Sequence, residues 1–81
     1  MHFVRKVIYL SEFDLLLSFD DGISKRVNLR QHLQGEVFEP LRDMEQFKTV
    51  HLDPDLDTIV WDNGADMSPD FLYEIGQQTK S

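Results

Sequence analysis

Asp53-x-Asp55-x-Asp57 places three carboxylates at alternate positions, the spacing of the first three ligands of a calcium-binding loop. Calcium takes about six to eight oxygens, and such a loop needs Gly at its sixth position and a bidentate acid at its twelfth. Those positions hold Thr58 and Gly64, so the segment reads as a polar hairpin loop. Asp62, Asp66 and Asp70 recur every four residues, but Asn63-Gly64 breaks the helix that would align them. Asp66 is then expected to tighten a turn and Asp70 to serve a helix start. A weak divalent-cation site shared between these acids and the 53–57 loop is the only metal reading left. His2, His32 and His51 show no paired spacing and read as surface or boundary residues. Ser11, Ser18, Ser24 and Ser68 lack a nucleophile-elbow context, and the four glycines are too scattered to cradle a phosphate. The chain contains no cysteine, which excludes disulfides, zinc–thiolate sites and thiol nucleophiles. No catalytic residue, cofactor site or metal ligand set is expected.

Chemistry of recognition is better represented. Trp61 lies beside the acidic turn and fits two roles. It could be a core residue at the sheet edge, which the usual high burial of tryptophan favours, or an aromatic anchor for a partner. Tyr73 falls about 100° off the apolar stripe of its helix, at a rim position open to a partner. Trp61, Asp66 and Tyr73 together are the candidate partner-binding residues. Arg5, Lys6, Lys25 and Arg26 could gather on neighbouring strands, but four cations are a poor nucleic-acid footprint in a chain of net charge −7.

That charge is uneven. Residues 1–30 hold five basic side chains against four acidic, a balance of +1; residues 31–81 hold three against eleven, a balance of −8. The second part repels nucleic acid and anionic lipid and attracts a basic partner, and the same charge also keeps a small protein soluble. With 81 residues the chain makes one domain, expected over residues 1–76 with a frayed tail at 77–81. A chain this short buries only about 60–65% of its unfolded surface. Pairing with a second copy would bury more. No run approaches the 18 or so apolar residues of a membrane-crossing helix, and the N-terminus lacks the pattern of a signal peptide. With cysteine absent, a cytoplasmic setting is expected.

The elements that must position these residues follow from periodicity. Residues 3–10 are rich in Val, Ile, Tyr and Phe and read as a strand. Residues 14–19 alternate, with Leu15, Leu17 and Phe19 on one face. Asp20-Asp21-Gly22 makes a hairpin turn, and residues 23–29 return as a third antiparallel strand. Residues 30–33 suit a short helical turn. Pro40 suits the start of a helix to about Phe47, with Leu41 and Met44 on its inner side. Residues 49–52 and 58–61 form a second hairpin. Ser68 is a good N-cap, Pro69 a good first helical residue, and Met67 and Leu72 have the spacing of a hydrophobic staple. Phe71, Leu72 and Ile75 then face the sheet, and Gly76 stops the helix. The fold class is α+β: a three-stranded antiparallel meander, a short helical segment, a two-strand hairpin and a C-terminal helix.

The segment Ile59-Val60-Trp61-Asp62-Asn63-Gly64-Ala65-Asp66-Met67-Ser68-Pro69-Asp70-Phe71-Leu72-Tyr73-Glu74 resembles the signature of a small bacterial family of domains of unknown function, number twenty-four forty-two. Phe19-Asp20-Asp21-Gly22, Gly35-x-x-Phe38-x-Pro40-Leu41-x-Asp43 and Phe47 are similar to it as well. Members often carry Pro after the Trp, where this chain has Asp62; the change loosens the turn and adds an acid. The resemblance implies an α+β fold and a bacterial cytoplasmic setting. Some relatives continue into a helix-turn-helix DNA-binding domain, and this chain is expected to be a member without it. Members are often encoded beside another small protein, which implies a toxin–antitoxin-like or accessory pairing. The resemblance implies no activity and no catalytic residues. The expected function is a non-enzymatic protein-interaction module whose partner has a basic surface. A small-ligand or divalent-metal binding domain is the alternative.

Overall fold

The most regular alternation in the chain becomes its central strand. A computed structural model describes residues 1–79. In strand β2 (Asp14–Phe19), Leu15, Leu17 and Phe19 are fully buried while Leu16 and Ser18 on the opposite face are half-buried. β1 (Val4–Ser11) and β3 (Ser24–Asn28) flank it, both antiparallel. Directly opposed residues share a face. Val7↔Leu17, Tyr9↔Leu15 and Leu15↔Val27 therefore build the core side. Lys6↔Ser18, Ile8↔Leu16 and Leu16↔Arg26 build the solvent side. The register of β1 shifts between Val4 and Lys6 and again between Tyr9 and Ser11. The β2–β3 turn forms as expected: Gly22 takes φ +83°, and the Asp21 carboxylate accepts from the Ile23 N–H at 2.9 Å.

The middle of the chain differs from expectation. Besides a 3-10 turn at Arg30–His32, the segment expected as one helix divides into a 3-10 turn at Glu39–Arg42 and helix α1 (Met44–Phe47). Asp43 separates them in extended conformation, and its carboxylate accepts from the Glu45 N–H at 3.0 Å. A short polar side chain that caps its own backbone competes with helix continuation. Leu41 and Phe47 are buried, but Met44, expected on the inner side, is 45% exposed. β4 (His51–Asp53) and β5 (Thr58–Val60) form a separate antiparallel hairpin beside β1.

Helix α2 (Pro69–Ile75) starts as its residues require: Ser68 Oγ accepts from the Phe71 N–H, and Met67 and Leu72 are both buried. Its inner face is turned from the expected one. Leu72 is buried, but Phe71 is 38% exposed and Tyr73 packs on the core instead. Tyr73 finds ring and hydrogen-bond partners on the sheet, and these rotate the short helix toward it.

The tail is corrected as well. Gln77–Gln78, expected to fray, is strand β6, pairing antiparallel with β3 through Lys25↔Gln78 and Arg26↔Gln77. Thr79 N–H adds a bond to the Ser24 carbonyl at 3.2 Å. The main sheet thus has four strands, in the order β1-β2-β3-β6. Polar residues carry no strand periodicity; the open edge of β3 supplies the pairing that they lack. Lys80 and Ser81, the rest of the expected tail, lie outside the described residues. No helix among the described residues is long and apolar enough to cross a membrane.

Gly76 stops the helix as expected, with φ −72°. Its smallness answers a different need. A Cβ there would lie 2.9 Å from Lys25 Cβ and 3.0 Å from the Leu72 carbonyl oxygen. Gly76→Ala is expected to destabilise the fold by about 1–3 kcal/mol through this overlap. The measurement is the urea midpoint beside that of Val37→Ala, at a residue 50% exposed. Equal midpoints would refute the close-packing argument.

Candidate functional site

Trp61 follows β5, and the chain turns immediately after it. The turn is closed by Gly64 N–H to the Trp61 carbonyl at 3.0 Å and Trp61 N–H to the Ala65 carbonyl at 2.9 Å. Asn63 Oδ1 accepts from the Ala65 N–H, and Gly64 takes φ +88°. This turn drives the indole inward. Trp61 is 2% exposed, and its Nε1–H donates to the Phe47 carbonyl at 3.1 Å. Phe47 and Phe38 pack against it at ring-centroid distances of 5.8 and 6.5 Å. Of its two roles, Trp61 takes the core one: a ring with 2% of its surface exposed cannot anchor a partner.

Tyr73 is not free at a rim. The His2 ring stacks on it at 3.6 Å with an interplanar angle of 4°, and Phe19 meets it edge-on at 4.9 Å. Lys25 Nζ lies 3.7 Å from its ring centroid and donates to its carbonyl at 2.7 Å. Its hydroxyl donates to Asp21 Oδ2 at 2.8 Å. His2 N–H donates to Asp70 Oδ1 at 2.7 Å, so the carboxylate of Asp70, in the first turn of α2, ties down the N-terminus. This knot joins the N-terminus, the β2–β3 turn, β3 and α2.

Asp66 is exposed on the turn, opposite Val60 in an isolated bridge. It is the one of the three candidate residues that faces solvent, and the fold does not gather them into one surface. In the 53–57 loop, Asp53 Oδ1 accepts from the Asp55 N–H at 2.9 Å and the Leu56 N–H at 3.3 Å. Asp57, at φ +56°, gives its carboxylate to Arg5 at 2.8 Å. Two of the three acids therefore serve the chain itself, and no group of three metal-binding side chains occurs among the described residues.

The basic residues are likewise dispersed. Arg5 pairs with Asp57 at one end of the sheet, Lys25 faces Tyr73 in the knot, and Arg26 pairs with Asp14 at 2.7 Å on the solvent face. What periodicity did not single out is the solvent face of β1. Ile8 is 40% and Leu10 41% exposed, with half-buried Leu16 opposite Ile8. The signal was present as apolar residues at both alternations of one strand.

Two measurements test these assignments. Trp61→Phe is expected to cost about 1–3 kcal/mol, from the lost N–H bond and the space left by the smaller ring. A thermal unfolding midpoint equal to that of the unsubstituted chain would refute the core role.

The second is a pH series. The bond from Arg26, with that from Asn28, holds the Asp14 carboxyl below its ordinary range. The Ile23 N–H, with help from the Tyr73 hydroxyl, does the same for Asp21. These contributions are present above about pH 4, the unfolded value, and are lost as the pH falls through the lower folded values. The bond to Asp21 raises the Tyr73 hydroxyl above its ordinary value. Its contribution is present below about pH 10 and is lost as the pH rises through the raised value. Urea midpoints across pH should show a flatter acid limb in Asp14→Asn and a flatter alkaline limb in Tyr73→Phe. Limbs parallel to those of the unsubstituted chain would contradict the linkage.

The chain matches the model of a family described as "Protein of unknown function (DUF2442)" over residues 4–78, all but the first three and last three positions. Searches of curated proteins and of solved structures returned no match. The turn that buries Trp61, the capped helix behind it and the sheet below it all lie inside the matched span, and the chain belongs to the DUF2442 family.

Proposed function

We propose that the chain is a non-enzymatic protein-interaction module that docks an extended segment of a second protein along β1. The observation that carries this reading is the exposure of Ile8 and Leu10 on an edge strand. Apolar side chains clustered on the open face of a sheet favour a partner over water. Besides its pairing with β2, the β1 backbone has one further strand-to-loop bond, from Val4 N–H to the Asp57 carbonyl at 2.8 Å. Where the β4–β5 hairpin beside it leaves β1 uncovered, the edge offers N–H and C=O groups to an added strand.

Charge selects the occupant. The 53–57 loop lies at the Val4 end of β1 and carries Asp53, Asp55 and Asp57, the last paired with Arg5, with Leu56 52% exposed among them. A segment combining apolar and basic residues suits the strand and the loop together. A second copy of this chain suits them poorly, since each copy carries −7. The two-protein pairing of toxin–antitoxin-like or accessory kind implied by the family resemblance would accommodate such docking. Asp66 is a further exposed acid, on the turn after β5. The ligand-binding alternative is favoured by a separate observation, a polar cleft beside β3.

The test begins with affinity capture from bacterial cytoplasm and continues with the captured protein in purified form. Its affinity for the chain should fall more than about tenfold in Ile8→Lys/Leu10→Lys and change less in Asp66→Lys. Both altered side chains are already about 40% exposed, so circular dichroism should show an intact fold. Failure to capture a protein would overturn the reading. Equal affinity of the double variant would do the same, and a larger loss in Asp66→Lys would move the surface to the acidic turn. A dimer seen by sedimentation equilibrium and dissociated by Ile8→Lys would put a second copy in the partner's place.

A further inference from the structure

We propose that the cleft between β3, β6 and the Arg30–His32 turn binds a small oxyanion, a molecule carrying phosphate or carboxylate groups. The cleft holds about 440 Å³, within the range of small-molecule sites. It is unrelated to the β1 surface, and the two proposals stand or fall separately.

The lining is rich in donors. Arg26 and Arg30 enter from the sheet and the turn, His32 and Gln31 from the turn, and Gln77 from β6. Their supports are fixed by the chain itself. Arg26 pairs with Asp14 at 2.7 Å, and the Asn28 amide donates to the same carboxylate at 2.7 Å. Asn28 Oδ1 in turn accepts from the Arg30 N–H at 3.0 Å, which sets the start of the turn. The Arg30 guanidinium lies over the Phe13 ring at 5.5 Å. The His32 ring stands edge-on to Phe71 at 5.3 Å. Among the described residues, the Gln31 and Gln77 side-chain amides make no hydrogen bond, so they are free to donate.

Two arginines and one acid, Asp14, line the cleft. Asp14 neutralises Arg26. Among the described residues Arg30 pairs with Glu12, at 3.3 Å, with both side chains more than 60% exposed. A long, exposed ion pair of this kind contributes little and is readily displaced. A phosphate or carboxylate in the cleft would take the planar guanidinium fork in two parallel bonds, which Glu12 at that distance does not do. Size is limited by the rest of the molecule. Residues 31–81 carry −8, so an extended polyanion would run out of the cleft onto acidic surface. A small anion held inside would not.

The test is a titration of the nitrogen-15-labelled full chain, followed by NMR. Inorganic phosphate and citrate are added in separate arms, with sodium chloride at matched ionic strength as reference. The expected result is saturable movement of the Arg30 Nε–H and the Gln31 and Gln77 side-chain amides, absent with chloride. Saturation by phosphate alone assigns a phosphorylated ligand; saturation by citrate alone assigns a carboxylate. Arg30→Gln should weaken binding by about tenfold or more. Glu12→Gln, which frees Arg30, should strengthen it by about two- to fivefold. Arg5→Gln, at the Asp57 pair on β1, should change nothing. All three sites are solvent-facing, and the amide spectrum reports that the fold persists. Shifts that follow chloride, or equal affinity in Arg30→Gln and the unsubstituted chain, would overturn the proposal.

Discussion

Burying an indole in a chain of 81 residues sets a condition that much of this fold is arranged to meet. The ring of Trp61 is the largest side chain in the core, and it carries one N–H that must find an acceptor where water does not reach. The acceptor is the Phe47 carbonyl, at the end of a helix only four residues long. That carbonyl also accepts from the Val50 N–H at 3.2 Å in the turn after the helix, and its second lone pair takes the indole. The requirement then spreads. α1 must end where the indole begins, the chain must turn at once after Trp61, and Thr49 Oγ1 accepts from the Asp62 N–H at 3.1 Å to hold the two segments together. Aromatic rings from four parts of the chain (Phe13, Phe38, Phe47 and Tyr9) extend outward from this contact.

A second centre forms around Tyr73 and closes the opposite side. The stacking of His2, the ammonium of Lys25 and the carboxylate of Asp21 use three different properties of one phenol: its face, its quadrupole and its hydroxyl. Lys25 is also the residue against which Gly76 must fit, and Gly76 leads directly into β6. The knot and the fourth strand are thus one construction. Without the close approach at Gly76, the chain would leave α2 too far from β3 for Gln77 and Gln78 to pair with it.

Local pattern made some of this readable in advance. The alternation of Leu15, Leu17 and Phe19, the Asp20-Asp21-Gly22 turn and the Ser68-Pro69 cap each depend on residues within a few positions of one another, and each forms as its chemistry requires. What was not readable depends on partners distant in sequence. Gln77 and Gln78 have no strand character of their own, and their pairing exists because β3 leaves an edge open. Tyr73 turns inward in place of Phe71 because His2 and Asp21 wait for it, more than fifty positions upstream. Met44 faces out because Asp43 interrupts the helix whose periodicity would have placed it inside. For the candidate surface the same limit applied: Trp61, Asp66 and Tyr73 are close in sequence, yet the first is core, the second exposed and the third knotted.

The charge of the chain has a spatial counterpart that composition alone conceals. Of the five cations at residues 1–30, Arg5, Arg26 and Arg30 each meet an acid, Lys25 meets a ring and Lys6 stands exposed on β1, so the positive balance there is spread over several places. What differs among them is the strength of the hold. Arg26 is held at 2.7 Å by an acid that Asn28 also grips, and Arg30 at 3.3 Å by an acid that nothing else fixes. An ion pair that is nearly free of restraint costs little to exchange for another. The contact with Glu12 does not contribute enough to the fold to explain its place, whereas the Phe13 ring beneath the guanidinium and the Asn28 bond to the Arg30 backbone N–H keep the residue on the cleft wall whether or not Glu12 is there. Position without strong local pairing is the property a ligand-binding cation needs, and in this chain Arg30 has it.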